Sequence, residues 1–227
     1  MIGIYGGTFD PVHYGHLRTA LEVQEALGLA ELRLVPCQIP PHRGEPGARP
    51  DQRLAMLQAA LTDAPPGLGI DPRELERPGP SYMVDTLASL RRELPENQPL
   101  VLIVGLDAYL GLPRWRHWER LFELAHVAVM RRPGFEPEWP PELAREQDRR
   151  LTPRAADLRG RPAGLIHFVT VTQLDISASR IRALIASGRN ARYLTPEGVL
   201  DLIGRWGLYG STETSHPVSS GSDAISG

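Results

Sequence analysis

The sequence predicts an α/β fold: a doubly wound, mostly parallel sheet with a small C-terminal helical region. Three observations predict it. Short apolar runs alternate along the chain with runs of helical period, the pattern of strands joined by helical crossovers. The run "LVLIVG" (100–105) is almost wholly aliphatic, as a strand covered on both faces must be. The chain has 227 residues with 41% apolar and 23% charged content, which suits one domain of moderate size with a sizeable core.

The elements follow in order. "IGIY" (2–5) reads as a buried strand, and 16–27 as a helix carrying Leu17, Ala20, Leu21 and Leu27 near one face, stopped by Gly28. "LRLVPC" (32–37) is a second strand, and the Pro- and Gly-rich stretch 38–50 is a loop. Residues 51–61 read as a helix and 68–71 as a short strand. Ser81 is expected to cap a helix reaching Leu94, with Val84, Leu87, Leu90 and Leu94 as its inner stripe. After the central strand come a helix near 116–124 and the strand "HVAVM" (126–130). Residues 133–163 have poor periodicity and much Pro, Arg and Glu, and read as an insertion or flexible segment. A strand over 164–172 and helices over 178–188 and 196–205 complete a single domain, 1–210. The tail 211–227 is poor in apolar residues and is expected to be disordered.

Composition narrows the chemistry. The net charge of -2 implies no nucleic-acid surface. All 25 basic residues are Arg, so a Schiff-base lysine, a lysyl adenylate and a P-loop lysine are excluded. Cys37 is the single cysteine and has no internal partner, which fits a reducing cytosol. The segment "MIGIYGG" has no basic region or long apolar run, and no stretch is long enough to span a bilayer. A cytoplasmic protein without membrane partners, monomeric or a small homo-oligomer, is expected.

In such sheets ligands sit outside the carboxyl ends of the strands. "YGGTFDPVHYGHL" (5–17) lies at that end of the first strand. Gly6 and Gly7 permit positive φ and close approach of a ligand, and the following helix start adds its partial positive charge. A glycine pair serves equally well as a tight structural turn, and the G-x-G-x-x-G fingerprint is not met. His13 and His16 are three apart and share a helical face, with Gly15 leaving room between them. Such a pair is often structural. Placed behind this turn, it is suited to stabilising charge that develops at phosphorus. No further ligands at zinc spacing accompany it. "DISASRIR" (175–182) opens a second helix, with Ser177 at its N-cap and Ser179 and Arg180 in its first turn. Hydroxyls and guanidiniums at a helix start suit a triphosphate, although a capped helix with solvated arginines has the same pattern. Trp115 offers a π-face, the helix start from Ser81 to Thr86 offers amides and a hydroxyl for a carboxylate, and Asp107 after Gly105 offers an acceptor for ribose hydroxyls. Trp118 is the expected core tryptophan.

"GTFDPVHYGH" resembles the signature of the nucleotidyltransferases related to class I aminoacyl-tRNA synthetases, with "HYGH" in place of "HIGH". "ISASRIR" resembles their "ISxTxIR" element, with Ser179 replacing Thr. "PCQIPPHR" (36–43), "GPSYMVDTL" (79–87) and "IVGLDAYLGLPRW" (103–115) narrow the resemblance to the nicotinate-nucleotide adenylyltransferase family. Arg43 and Met83 stand where that family commonly has Lys and Thr. The resemblance implies a Rossmann-like nucleotidyltransferase fold and AMP transfer from ATP to nicotinic acid mononucleotide, giving deamido-NAD and pyrophosphate. It places His13, His16 and Arg182 in catalysis. It places Gly6, Gly7, Thr8, Phe9, His16, Gly105, Asp107, Ile176, Ser179 and Arg182 around ATP. It places Gly7, Thr8, His42, Arg43, Ser81, Tyr82, Asp85, Thr86, Trp115 and Arg116 around the mononucleotide. Magnesium is expected on the ATP phosphates with no dedicated protein ligands, and Asp10 is expected to brace the turn. Other acceptors (phosphopantetheine, glycerol phosphate, the amide mononucleotide) and an unreactive nucleotide sensor are the competing readings.

Overall fold

The computed structural model describes residues 1–40, 44–131, 137–172 and 174–210. Six strands, β1 (Ile2–Gly7), β2 (Glu31–Pro36), β3 (Leu68–Ile70), β4 (Leu100–Gly105), β5 (His126–Arg131) and β6 (Ile166–Thr170), form one sheet in the order β3-β2-β1-β4-β5-β6. Every pairing is parallel. The order reverses between β1 and β4, which opens a crevice beyond their carboxyl ends.

Helices cover both faces. One core gathers Ala20, Val23 and Leu27 of α1 (Tyr14–Leu27), Met56 and Leu57 of α2 (Pro50–Ala60), and Val199 and Ile203 of α8 (Glu197–Trp206). The other gathers Val84, Leu87 and Leu90 of α3 (Met83–Glu93), Tyr109 of α4 (Leu106–Leu110), and Leu121 and Phe122 of α5 (Leu121–Leu124). β4 feeds both cores: Val101 and Ile103 point to the first, Leu100, Leu102 and Val104 to the second. Its unbroken aliphatic run is the signature of a central parallel strand. α1 stops where Gly28 turns left-handed at φ 59, as its position predicts. Among the described residues no helix is long and apolar enough to cross a membrane.

Several elements differ from the sequence reading. β1 continues through Gly6 and Gly7, which pair with Val35 and Pro36 of β2. The N-cap of α3 is Tyr82. Ser81 instead accepts a hydrogen bond from the Gln38 amide at 2.8 Å, tying the loop after β2 to the start of α3. The expected helix near 116–124 is broken: His117 is left-handed at φ 50, and a 3-10 turn (Trp118–Arg120) precedes the short α5. Trp118 is half-buried and packs edge to face on Phe122 with centroids 6.1 Å apart. Within 133–163 lie α6 (Pro141–Arg150) and a 3-10 helix (Ala155–Gly160), anchored by the fully buried Leu143 and Leu158. Periodicity missed α6 because it buries only one residue. α7 (Ala178–Ala186) and α8 form the C-terminal helical region. The tail 211–227 and residues His42 and Arg43 lie outside the described residues.

Candidate active site

A cavity of about 320 Å³ opens at the switch point. Its floor is the carboxyl ends of β1 and β4, with Gly7 and Thr8 on one side and Gly105 on the other. His16 closes the wall toward α1, and the start of α3 with Trp115 and Arg116 forms the opposite wall.

The turn between β1 and α1 owes its shape to its own side chains. Phe9, not a glycine, takes the positive φ of 50°. That conformation is uncommon for a bulky residue and marks a locally strained turn. The Phe9 ring occupies the space beside Gly7, where an added Cβ would meet it at 2.8 Å. A Cβ on Gly6 would meet the Met83 methyl at 2.6 Å. The glycine pair thus makes room for Phe9 and Met83 while remaining in the strand, and the positive-φ role expected of it belongs to Phe9.

His13 and His16 come together as their spacing predicts. His13 is the N-cap of α1, and its ring stacks on that of His16 with centroids 3.7 Å apart and an interplanar angle of 29°. Phe9 packs edge-on to His16 at 5.1 Å and fixes its orientation. His13 is 5% exposed, and burial pushes its imidazole down to about 4, so it is neutral at pH 7. Among the described residues its buried Nδ1 has no hydrogen-bond partner, and His13 is not a cavity wall. Gly15 is obligatory: a Cβ there would lie 2.9 Å from the His13 ring and 3.4 Å from the Ile176 carbonyl.

Asp10 braces the turn, as expected. Its carboxylate accepts from the amides of Gly47 (2.7 Å) and Ala48 (3.1 Å) and from the Tyr209 hydroxyl (2.6 Å). Burial and the Asp10 charge push the Tyr209 phenol upward. Arg182 donates to the Asp10 carbonyl at 2.6 Å and lies 3.7 Å from its carboxylate. The α7 element therefore docks on the histidine turn through Arg182 and Ile176. Ser177 caps α7 by accepting from the Arg180 amide at 3.3 Å, and the Ser179 hydroxyl lies 3.2 Å from that of Ser177. Ile176, Ser179 and Arg182 are not among the cavity walls. Arg180 faces Asp175 in solvent.

The wall formed by α3 departs from expectation at Thr86. This residue is fully buried; its hydroxyl donates to Glu74 at 2.5 Å and accepts from Arg77 at 2.7 Å. It is committed within the protein and not open to a ligand. The available donors are the amides of Met83 and Val84, the first two helical positions, which have no intrahelical acceptor. Both residues line the cavity. Tyr82 also lines it and carries the Arg116 guanidinium over its ring at 4.8 Å. Asp85 and Asp107 are exposed first-turn residues of α3 and α4, outside the cavity walls.

Sequence reasoning missed Glu74, Cys37 and Arg53. Glu74 is 3% exposed in the cavity wall, and burial pushes its carboxyl upward. Cys37 is a buried free thiol in the same wall, also pushed up by burial. Neither sits in a local pattern that signals a site. Among the described residues no three His, Cys, Asp or Glu side chains cluster as a metal site.

Comparison with known proteins agrees with this geometry. The sequence matches the cytidylyltransferase-like family over residues 4–184. It is 54% identical over 209 residues to the probable nicotinate-nucleotide adenylyltransferase of Methylococcus capsulatus, covering 92% of this chain and 99% of that one. It is 53% identical to the protein of the same description from Halorhodospira halophila, covering 92% and 95%. The fold matches Plasmodium falciparum nicotinic acid mononucleotide adenylyltransferase, solved with NaAD, at a TM-score of 0.70 and 16% identity over 93% of this chain and 98% of that chain. A sheet that reverses order at a histidine-lined crevice and a near full-length match at half identity lead to one assignment: the chain belongs to the cytidylyltransferase-like family, among the nicotinate-nucleotide adenylyltransferases.

Proposed function

We propose that this chain transfers the adenylyl group of ATP to nicotinic acid mononucleotide, releasing pyrophosphate and forming deamido-NAD in NAD biosynthesis. The observation that carries the reading is His16, stacked on the buried His13 at the start of α1 and lining a crevice whose far wall is built by the start of α3 and Trp115. A phosphate oxygen of the mononucleotide attacks the α-phosphorus of ATP. The new P–O bond forms as the bond from the α-phosphorus to the bridging oxygen breaks, and pyrophosphate leaves with that electron pair. The attacking phosphate is already an anion at neutral pH, so no general base is needed. Alignment and charge stabilisation carry the rate.

His16, oriented by Phe9, donates to the phosphate oxygens as charge concentrates on them. His13 is neutral and serves as a hydrogen-bonding imidazole behind it. Gly7 and Thr8 of the cavity wall, followed by Phe9 in the turn, adjoin the same anion. Arg182, already docked on the turn, and Ser179 at the start of α7 hold the triphosphate, with Ile176 beside them, while Gly105 and Asp107 serve the nucleoside. The flat pyridine stacks on Trp115, and its carboxylate takes the Met83 and Val84 amides, with Tyr82 and Arg116 at the rim. Ser81 fixes this helix start from behind. His42 and Arg43 reach the acceptor phosphate by family resemblance alone. ATP enters as its magnesium complex; the inner carboxylates are engaged by Thr86 (Glu74) and by the turn (Asp10), so the nucleotide carries the ion. The free thiol of Cys37 suits a reducing cytoplasm.

The test is incubation with magnesium, ATP and one acceptor at a time: nicotinic acid mononucleotide, its amide, phosphopantetheine or glycerol phosphate. Pyrophosphate release with the acid, at a kcat/KM above every other arm, is expected. Release with another acceptor only, or with none, overturns the reading.

A further inference from the structure

Arg53 of α2 is fully buried and heads the fully buried side chains by volume. Taking a guanidinium out of water costs several kcal/mol unless its charge is met. Among the described residues Arg53 meets no carboxylate. Its fork donates to three carbonyl oxygens: Thr8 at 2.8 Å, Gln38 at 3.1 Å and Ala48 at 3.2 Å. These come from three separate stretches: the turn after β1, the segment after β2 and the residues before α2. Thr8 and Cys37, the neighbour of Gln38, are walls of the cavity. The Ala48 N–H donates in turn to Asp10, so one residue links Arg53 to the brace that also receives Arg182.

We infer that Arg53 is a positioning residue for adenylyl transfer: its planar fork fixes the Thr8 turn against Gln38 and Ala48. Its guanidinium donates directly to the carbonyl of Thr8, a residue of the cavity wall. The inference rests on the reading given under Proposed function. Arg91 shows what the same bonding does elsewhere. It donates to the carbonyls of Leu124, Gln98 and Pro162, none of which is a cavity-wall residue, and joins loops at the opposite end of the sheet. Arg53 differs in what its carbonyls belong to. The planar guanidinium directs its donors to three acceptors in fixed directions, whereas a lysine ammonium concentrates its three donors on one atom, so lysine retains the charge and loses most of the geometry.

The experiment compares wild type, Arg53→Met, Arg53→Lys and the control Arg91→Met at a temperature where each is folded by circular dichroism. Two quantities are read: kcat/KM for dinucleotide formation, and the rise in Tm produced by magnesium-ATP. Arg53→Met is expected to lose about 100-fold in kcat/KM, the scale of small misplacements in an aligned site, together with most of the ATP-induced rise. Arg53→Lys is expected to lose less in both. Arg91→Met is expected to lower Tm while keeping the wild-type kcat/KM and ATP response. A folded Arg53→Met with kcat/KM and ATP response like wild type overturns the inference. If Arg53→Met does not fold, wild-type values in Arg53→Lys overturn it, and a loss there supports it. If wild type itself makes no dinucleotide, the function reading falls, and the ATP response alone decides the role of Arg53.

Discussion

His13 and His16 contribute different things despite their stacking. His16 lines the cavity, whereas His13 is buried behind it and held neutral. On the proposed mechanism, replacing His16 with Ala removes the donor that meets the developing charge. We expect turnover to fall by about 100- to 1000-fold, the scale seen when one such donor is lost, with a Tm close to wild type. Steady-state kinetics and a melting curve check both halves. His13 has a consequence for stability. Its folded value of about 4 lies below the unfolded 6.5, so between these the unfolded chain takes up a proton that the folded chain refuses. Stability therefore falls as pH drops from about 6.5 to about 4 and is unaffected by this group above that window. The full effect is about 3 kcal/mol. Urea titrations without substrate should show a smaller acid loss in His13→Gln than in wild type; equal losses would contradict the burial argument. The histidine pair was legible because three-residue spacing determines a shared helical face. The engagement of Thr86 was not, because its partner Glu74 is twelve residues away and nothing local announces the contact.

Among the elements, α1 explains the most. Its start must bring an imidazole, a backbone carbonyl of the segment before α7 and a helix axis to one point, and Gly15 is the residue that permits this. Gly→Ala within a helix usually stabilises by about 0.5–1 kcal/mol. Gly15→Ala is expected to go the other way, with lower Tm and much reduced activity as the His13 ring is displaced. Gly204 in α8 has no atom within 4 Å of an added Cβ, so Gly204→Ala should show the ordinary gain with unchanged kinetics. The contrast between the two melting curves separates packing from propensity. Element existence was legible wherever apolar periodicity was strong, as in α1, α3 and β4. α4 and α6 escaped because one is five residues long and the other buries a single leucine. The positive φ expected of Gly6 and Gly7 falls on Phe9 for a related reason: a sequence shows that a side chain is missing, but not which neighbouring chain atoms, here those of Phe9 and Met83, take up the space beside the cavity.

At the scale of the whole molecule, the sheet order places β1 and β4 side by side although α1, β2, α2, β3 and α3 intervene. This brings Gly7, Thr8 and His16, the start of α3 at Ser81 to Val84, and Gly105, Trp115 and Arg116 to one crevice, while Asp10 draws in Arg182 and Tyr209 from the far end of the chain. The parallel α/β class and the location of the site followed from alternation and from the strand-end rule. The path by which 182 and 209 return to residue 10 did not, since it depends on three-dimensional closure and not on any local pattern.

The central claim is that the imidazole-lined crevice moves the adenylyl group and leaves pyrophosphate behind. ATP labelled at the α-phosphorus, mixed with magnesium, nicotinic acid mononucleotide and either wild type or His16→Ala, tests it directly. The account expects label in the dinucleotide with wild type and almost none with the variant. Label that stays in ATP with wild type, or reaches the dinucleotide equally fast with both, would contradict it.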